Sequence, residues 1–261
     1  MELRYTAIVL KKKEVGETDR LYTLYTEEQG KVRVVAKGVR KPEAKLASQL
    51  ETLTYGLVIV VKGRGMGKIA GAVAEDFFPQ LRNDFDILKR ILESISVFER
   101  LVDLDEPDSR LFGLLKTYLS LAEALVRDGQ SEKVFLLSEG FLFQLFAHLG
   151  YEVETGACVV SGEKLRQGDR HFFSPGQGGM LSGEHSAQSR GAFAVSENTI
   201  KLIRLFLSNR LEHLPRITAE ARELRELRQV AASFPPVDYP LDKTATFTLD
   251  KIWIEGYKEP L

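Results

Sequence analysis

From Met1 to Asp76 apolar positions alternate with polar ones in short runs, the period-two signature of strands that turn one face to a core. The runs are "YTAIVLKK", "LYTLYT", "KVRVVAKG", "LTYGLVIVVKG" and "KIAGAVAED", rich in β-branched and aromatic residues and separated by polar or Gly-containing stretches. They predict five strands. "EEQG" from Glu27 to Gly30 predicts a hairpin turn between the second and third, and "GRGMG" from Gly63 to Gly67 one between the fourth and fifth. Five short strands suit a small closed barrel, because closure removes exposed edges, and an OB-fold barrel over residues 1–79 is the expected architecture.

Beyond Phe78-Pro79 the apolar period lengthens to three and four residues. In "DSRLFGLLKTYLSLAEALVRDG" Leu111, Leu114, Leu115, Tyr118, Leu119, Ala122 and Leu125 mark one helix face, with Asp108 or Ser109 as N-cap and Gly129 as stop. "SEKVFLLSEGFLFQLFAHLG" runs from Ser131 to Gly150 with so little polar surface that it predicts the central helix of a bundle. Two more helices are expected near Glu197–Leu211 and Ala219–Ala232. The Gly-rich stretch 156–191 interrupts this helical body, and a Pro-punctuated tail follows Phe234. The expected fold is therefore α+β and multidomain: a barrel over 1–79, a helical domain over 80–155 and 192–233, an insert over 156–191 and a tail over 234–261.

Composition changes the picture in one respect. The chain has 261 residues and a net charge of -1, yet the first 70 residues carry 14 Lys and Arg against 8 Asp and Glu, so a +6 module is joined to a -7 body. A basic barrel implies a polyanionic partner or a merely patchy surface. No apolar run is long enough to span a bilayer, and the N-terminus lacks the apolar core of a signal peptide, so a cytoplasmic protein without a membrane role is expected.

Catalytic motifs are missing. "GRGMG" does not spell a phosphate-binding fingerprint and leads into a strand, so it reads as a turn. His148, in the most apolar helix, reads as a packed or boundary residue rather than a base. Lys11, Lys12 and Lys13 end the first strand, and Arg20, Arg33, Lys37, Arg40, Lys41 and Lys45 lie along and after the next two. Such charges along a barrel grip single-stranded nucleic acid when aromatic faces accompany them. Tyr5, Tyr22, Tyr25 and Tyr55 either offer those faces, Tyr22 foremost, or pack as half-buried strand residues.

The stretch "AIVLKKKEVGETDRLYTLYTEEQGKVRVVAKGVRKP" from Ala7 to Pro42 resembles the N-terminal signature of the bacterial recombination mediator family RecO, through "GETDRL", "TEEQGK" and "AKGVR". "HLGYEVETGACVVSG" and "FFSPGQGGMLS" resemble the segments that carry or precede two metal knuckles in that family. The resemblance covers most of residues 1–212 and fades from Leu214. It implies a non-enzymatic DNA repair protein, bacterial and nucleoid-associated, without a cofactor. Such a protein binds single- and double-stranded DNA, anneals complementary strands, binds the acidic tail of the single-stranded DNA-binding protein SSB, and works with RecR to load RecA. Arg110, Lys116, Arg127, Lys133, Lys201 and Arg204 are the body's candidates for the acidic tail. A protein-interaction adaptor with an inert barrel is the alternative, and an RNA-directed module shares the same chemistry.

Zinc-holding members of the family carry two C-x-x-C pairs. Here the four positions read Cys158, Ser161, Ser182 and His185, a C-x-x-S frame followed by S-x-x-H. Serine hydroxyls are poor zinc ligands, so a degenerate zinc-ribbon-like insert without metal is expected, its turn kept by Gly178-Gly179 and its packing by Phe172 and Phe173. An alternative set of Cys158, His171, His185 and Asp169 has suitable chemistry but no recognised spacing.

Overall fold

The computed structural model describes residues 1–234 except 42, 43, 45 and 64; the tail from 235 on and Lys45 lie outside the described residues. All five N-terminal strands form: β1 (Glu2–Val15), β2 (Asp19–Thr26), β3 (Gly30–Ala36), β4 (Tyr55–Val61) and β5 (Gly67–Asp76). They close into a barrel in the order β1-β2-β3-β5-β4, with β3 and β5 parallel and β1 returning onto β4. Closure depends on the length of β1. Its first half pairs with β4 from Glu2 to Ile8, its second with β2 from Ala7 to Val15, and a bulge between Val9 and Lys11 bends it between the two. Alternate residues fill the barrel, among them Tyr5, Ala7, Val9, Tyr22, Leu24, Val34, Val58 and Val60.

Residues 1–149 with 205–219 make one compact unit. Its helices are α1 (Phe85–Leu101), α2 (Ser109–Arg127) and α3 (Lys133–His148). Asp108 is the N-cap of α2, accepting from the N–H groups of Arg110 and Leu111 at 2.8 and 3.2 Å, and Gly129 ends the helix with a positive φ. α3 is buried almost all round, as its composition predicts. Its two buried polar residues are paired: Ser138 takes a hydrogen bond from Tyr118 at 2.8 Å and donates to the Val134 carbonyl, and Glu139 meets the Arg90 guanidinium at 2.9 Å. His148 departs from expectation. It is exposed at the last turn of α3, where a cation would face the helix's negative end.

α1 was not among the predicted helices. Its N-cap is Asp84, which accepts from Asp86 and Ile87, and its buried face runs through Ile87, Ile91, Ser94, Ile95 and Phe98. Asp84 is thus the cap and Asp86 a first-turn anion, both favoured at the positive end of the helix.

Among the described residues, Gly150–Arg204 with 220–234 make the second unit. It holds a three-stranded antiparallel sheet of β6 (His171–Ser174), β7 (Gly179–Ser182) and β8 (Phe193–Val195) in the order β7-β6-β8, the start of α4 (Glu197–Ser208), and α5 (Ala221–Ser233). Phe173 is fully buried between Phe193 and Phe234, with ring centroids 5.6 and 6.2 Å away. Among the described residues no helix is long and apolar enough to cross a membrane.

Candidate nucleic-acid interface

Strand alternation sorts the basic residues of the barrel before any ligand is considered. Lys11 stands opposite Thr23 and Thr23 opposite Arg33, which puts Lys11 and Arg33 in one outward row across β1, β2 and β3. Lys13, Leu21 and Val35 form the next row, and the parallel pairing of Val35 with Lys68 extends it onto β5. Lys11, Lys13, Arg33 and Lys68 are all exposed. None of these four has an ion pair among the described residues. Lys12 falls on the other face, opposite Tyr22, where its ammonium is neutralised by Glu51. Lys68 was missed by sequence reading because the fold, not the chain, places it beside β3.

At the end of these rows the β1–β2 turn meets the segment after β3. The Asp19 carboxylate accepts from the Gly38 N–H at 2.8 Å, and the Arg40 N–H donates to the Thr18 carbonyl at 3.0 Å. The hydrogen bond from Gly38 holds the Asp19 carboxyl below its usual range, helped by the Thr18 hydroxyl and by the Lys37 and Lys41 charges. "GETDR" and "AKGVR" are therefore two halves of one turn. Arg40 lies 3.3 Å from Glu14, and Arg20 3.9 Å from the same carboxylate, whereas Lys37 and Lys41 are exposed.

Tyr22 requires a correction. It is fully buried in the barrel core, where burial pushes its phenol pKa up against the opposing effect of the nearby Arg20 guanidinium. A ring enclosed on both faces cannot stack on a base. Tyr5 and Tyr25 are buried as well, the latter edge-on to Phe98 at 4.8 Å. The half-buried Tyr55 is already covered by Lys116, whose ammonium lies 4.1 Å from the ring centroid and donates to the hydroxyl at 2.9 Å.

The opposite end of the barrel is acidic. Glu27, Glu28, Asp103, Asp105 and Glu106 are exposed around the β2–β3 turn, and the Glu28 carboxylate accepts from the Thr6 N–H at 2.9 Å. Lys31, the one cation here that is buried, is committed to structure: its ammonium donates to the Glu99 carbonyl in the last turn of α1 at 2.7 Å.

Comparison with known families fits this geometry. Residues 1–78 match the model described as Recombination protein O N terminal, and residues 95–234 match Recombination protein O C terminal. The chain belongs to the RecO family. It is 31% identical over 227 residues to a DNA repair protein RecO of Syntrophomonas wolfei subsp. wolfei, covering 87% of each chain. It is 28% identical to one of Desulfitobacterium hafniense, covering 91% of this chain and 85% of that one. A third, from Desulforamulus reducens, is 25% identical over 95% of this chain and 93% of its own.

Most of the cations expected to serve this RecO-family chain in partner binding have local partners. Arg110 and Arg127 sit at opposite ends of α2, about 25 Å apart at the helical rise, and pair with Asp108 and Asp128. Lys116 is occupied by Tyr55, and Lys133 donates to Gln130 at 2.7 Å. In the second unit Arg204 donates to the Thr155 carbonyl, and Lys201 pairs with Glu197 at 2.9 Å.

Cys158, Ser182 and His185 do lie together. The Cys158 sulfur lies 3.8 Å from both the Ser182 hydroxyl and His185 Nδ1, and those two are 2.8 Å apart. Burial raises the Cys158 pKa, but the Ser161, Ser182 and Val160 N–H groups and the Ser161 hydroxyl outweigh it and bring the thiol down to about 6. All four positions thus converge on one sulfur. Their donors do not suit zinc, which needs four thiolate, imidazole or carboxylate ligands and would find two. Among the described residues no three His, Cys, Asp or Glu side chains are grouped to hold a metal, so the alternative set with His171 and Asp169 fails. His171 is buried in β6.

Proposed function

We propose that the chain is a non-enzymatic DNA repair and recombination mediator that binds single- and double-stranded DNA through the basic face of its barrel. It anneals complementary strands and acts with RecR and SSB to load RecA. The observation that carries the reading is the outward set of Lys11, Lys13, Arg33 and Lys68 beside the Lys37–Lys41 turn, on a barrel that matches the family's N-terminal model. In this reading 1–79 is the nucleic-acid module, with Lys45 as a further contact, and 80–155 with 192–233 is the partner-binding body. The insert 156–191 is a zinc-ribbon-like element whose lost ligands have been replaced by hydrogen bonds to Cys158, and 234–261 is a separate tail. The acidic SSB tail would engage cations of that body, with Arg110, Lys116, Arg127, Lys133, Lys201 and Arg204 as the candidates.

The test is binding of a fluorescent single-stranded oligonucleotide across a salt series, with a variant carrying Lys37→Glu, Arg40→Glu and Lys41→Glu. Affinity should fall steeply with salt, and the variant should bind more weakly with a shallower slope. Salt-insensitive or absent binding would leave the adaptor reading, with SSB and RecR as the partners to test. Equimolar zinc retained through dialysis would refute the metal-free insert.

A further inference from the structure

We infer that the basic strand face of the barrel holds nucleic acid by its phosphates, with no base stacked on a ring of that face. The inference rests on the reading that the barrel binds DNA and adds how it does so. Between Lys11, Lys13, Arg33 and Lys68 the outward side chains are Thr23, Leu21 and Val35, and none is a ring. The tyrosines that the strands supply are consumed elsewhere: Tyr5 and Tyr22 fill the barrel, Tyr25 packs on Phe98, and Tyr55 is capped by Lys116. Phe77 is partly exposed, but it lies just past the far end of β5 from Lys68, roughly 25–30 Å along the strand at the usual rise.

The cations are spaced for a phosphodiester chain. Lys11 and Lys13 are two residues apart on β1, roughly 7 Å, and Lys11 and Arg33 are two strands apart, about 10 Å. All four are exposed, and their side chains make no hydrogen bond or ion pair among the described residues, so each is available to displace a counterion. The acidic β2–β3 end closes the site on one side, because Glu27, Glu28, Asp103, Asp105 and Glu106 repel a polyanion. Recognition of this kind is blind to base identity. It draws its affinity from counterion release and treats a strand without bases as it treats one with them.

The experiment uses the full chain and two fluorescent strands of equal length, one of ordinary deoxynucleotides and one of abasic tetrahydrofuran phosphodiesters, titrated across a salt series. The expected result is affinities within about two-fold of each other with parallel slopes near -3, as about four phosphate contacts to a single strand give. Both should weaken at least ten-fold in a variant with Lys11→Glu, Lys13→Glu and Arg33→Glu, whose side chains brace nothing else in the fold. A single stacked base would separate the two strands by about five-fold or more, and that result overturns the inference while leaving DNA binding by the barrel intact. Failure of both strands to bind, or undiminished binding by the variant, overturns the reading of the barrel and this inference with it. A thermal melt of the variant that matches the wild type shows that any loss is not unfolding.

Discussion

At one end of the barrel the β1–β2 turn meets Lys37–Lys41, and at the other the β2–β3 turn meets the loop from Asp103 to Asp108. Each junction uses a glycine with positive φ, Gly38 in the first and Gly30 in the second. The space around them differs sharply. A Cβ on Gly38 would meet nothing nearer than the flexible Lys41 side chain at 3.7 Å, whereas one on Gly30 would fall 2.0 Å from the Glu106 carbonyl oxygen. The acidic end is where the barrel is fastened to the helices, with Lys31 donating to the end of α1 and the Asp105 N–H donating to the Lys31 carbonyl. The basic end is held by hydrogen bonds at its surface and keeps its cations in water. Packing against the helices and free positive charge thus fall at opposite ends of the same strands.

The largest consequence falls on Gly30. Gly30→Ala combines a left-handed backbone with a clash against main chain that cannot swing away, so a loss of about 3 kcal/mol or more is expected, or roughly 6–12 °C in Tm. Gly38→Ala meets only the backbone preference and should cost about 1–2 kcal/mol. Thermal unfolding of the two variants compares the ends directly, and equal losses would mean that the acidic end is no more tightly fastened than the basic one.

A smaller effect is expected at Asp19. Its folded pKa is depressed, chiefly by the Gly38 N–H, so its stabilising contribution is present above the unfolded carboxylate value of about 3.9 and is lost as pH falls through the lower folded value. Asp19→Ala should lower the urea midpoint at neutral pH by less than Gly30→Ala does. It should also flatten the acid limb of the stability profile below about pH 4. An unchanged acid limb would show that the carboxylate does not hold the turn.

How much of this was legible in the sequence follows from the physics of each element. Every barrel strand was, because alternation of buried and exposed residues leaves a period-two trace, and Asp108 and Gly129 announced α2. α1 went unnamed although Asp84 and the spacing of Ile87, Ile91, Ile95 and Phe98 carry a helical signal of the same kind. The site was half legible. Lys11, Lys13 and Arg33 are outward by alternation, but a bulge decides that Lys12 faces Glu51, and a parallel pairing between strands distant in sequence brings Lys68 into the row. Tyr22 defeated reading because a strand tyrosine has the same pattern whether its ring looks in or out; only closure of the barrel chose. The C-x-x-S and S-x-x-H spacings pointed to Cys158, Ser182 and His185 as neighbours, whereas the amide hydrogen bonds that lower the Cys158 pKa left no trace, since backbone geometry has no residue-type signature.

The smallest effect sharpens the comparison most. Glu27 and Glu106 are exposed at the acidic end, and neither side chain is bonded to another group among the described residues, so Glu27→Lys with Glu106→Lys changes charge without removing a contact. If the acidic end merely bounds the phosphate track, two added cations about 26 Å along β2 from the Lys37–Lys41 turn lengthen it. Affinity for a long single strand should then rise by about two- to three-fold at low salt. The gain should shrink toward nothing near 0.3 M, roughly where a Debye length of about 6 Å hides one end from the other. A strand too short to reach past β2 should show no gain at all. An equal gain for short and long strands would mean that charge at this end acts through the field of the whole barrel, and that the two ends are one electrostatic surface rather than a site and its boundary.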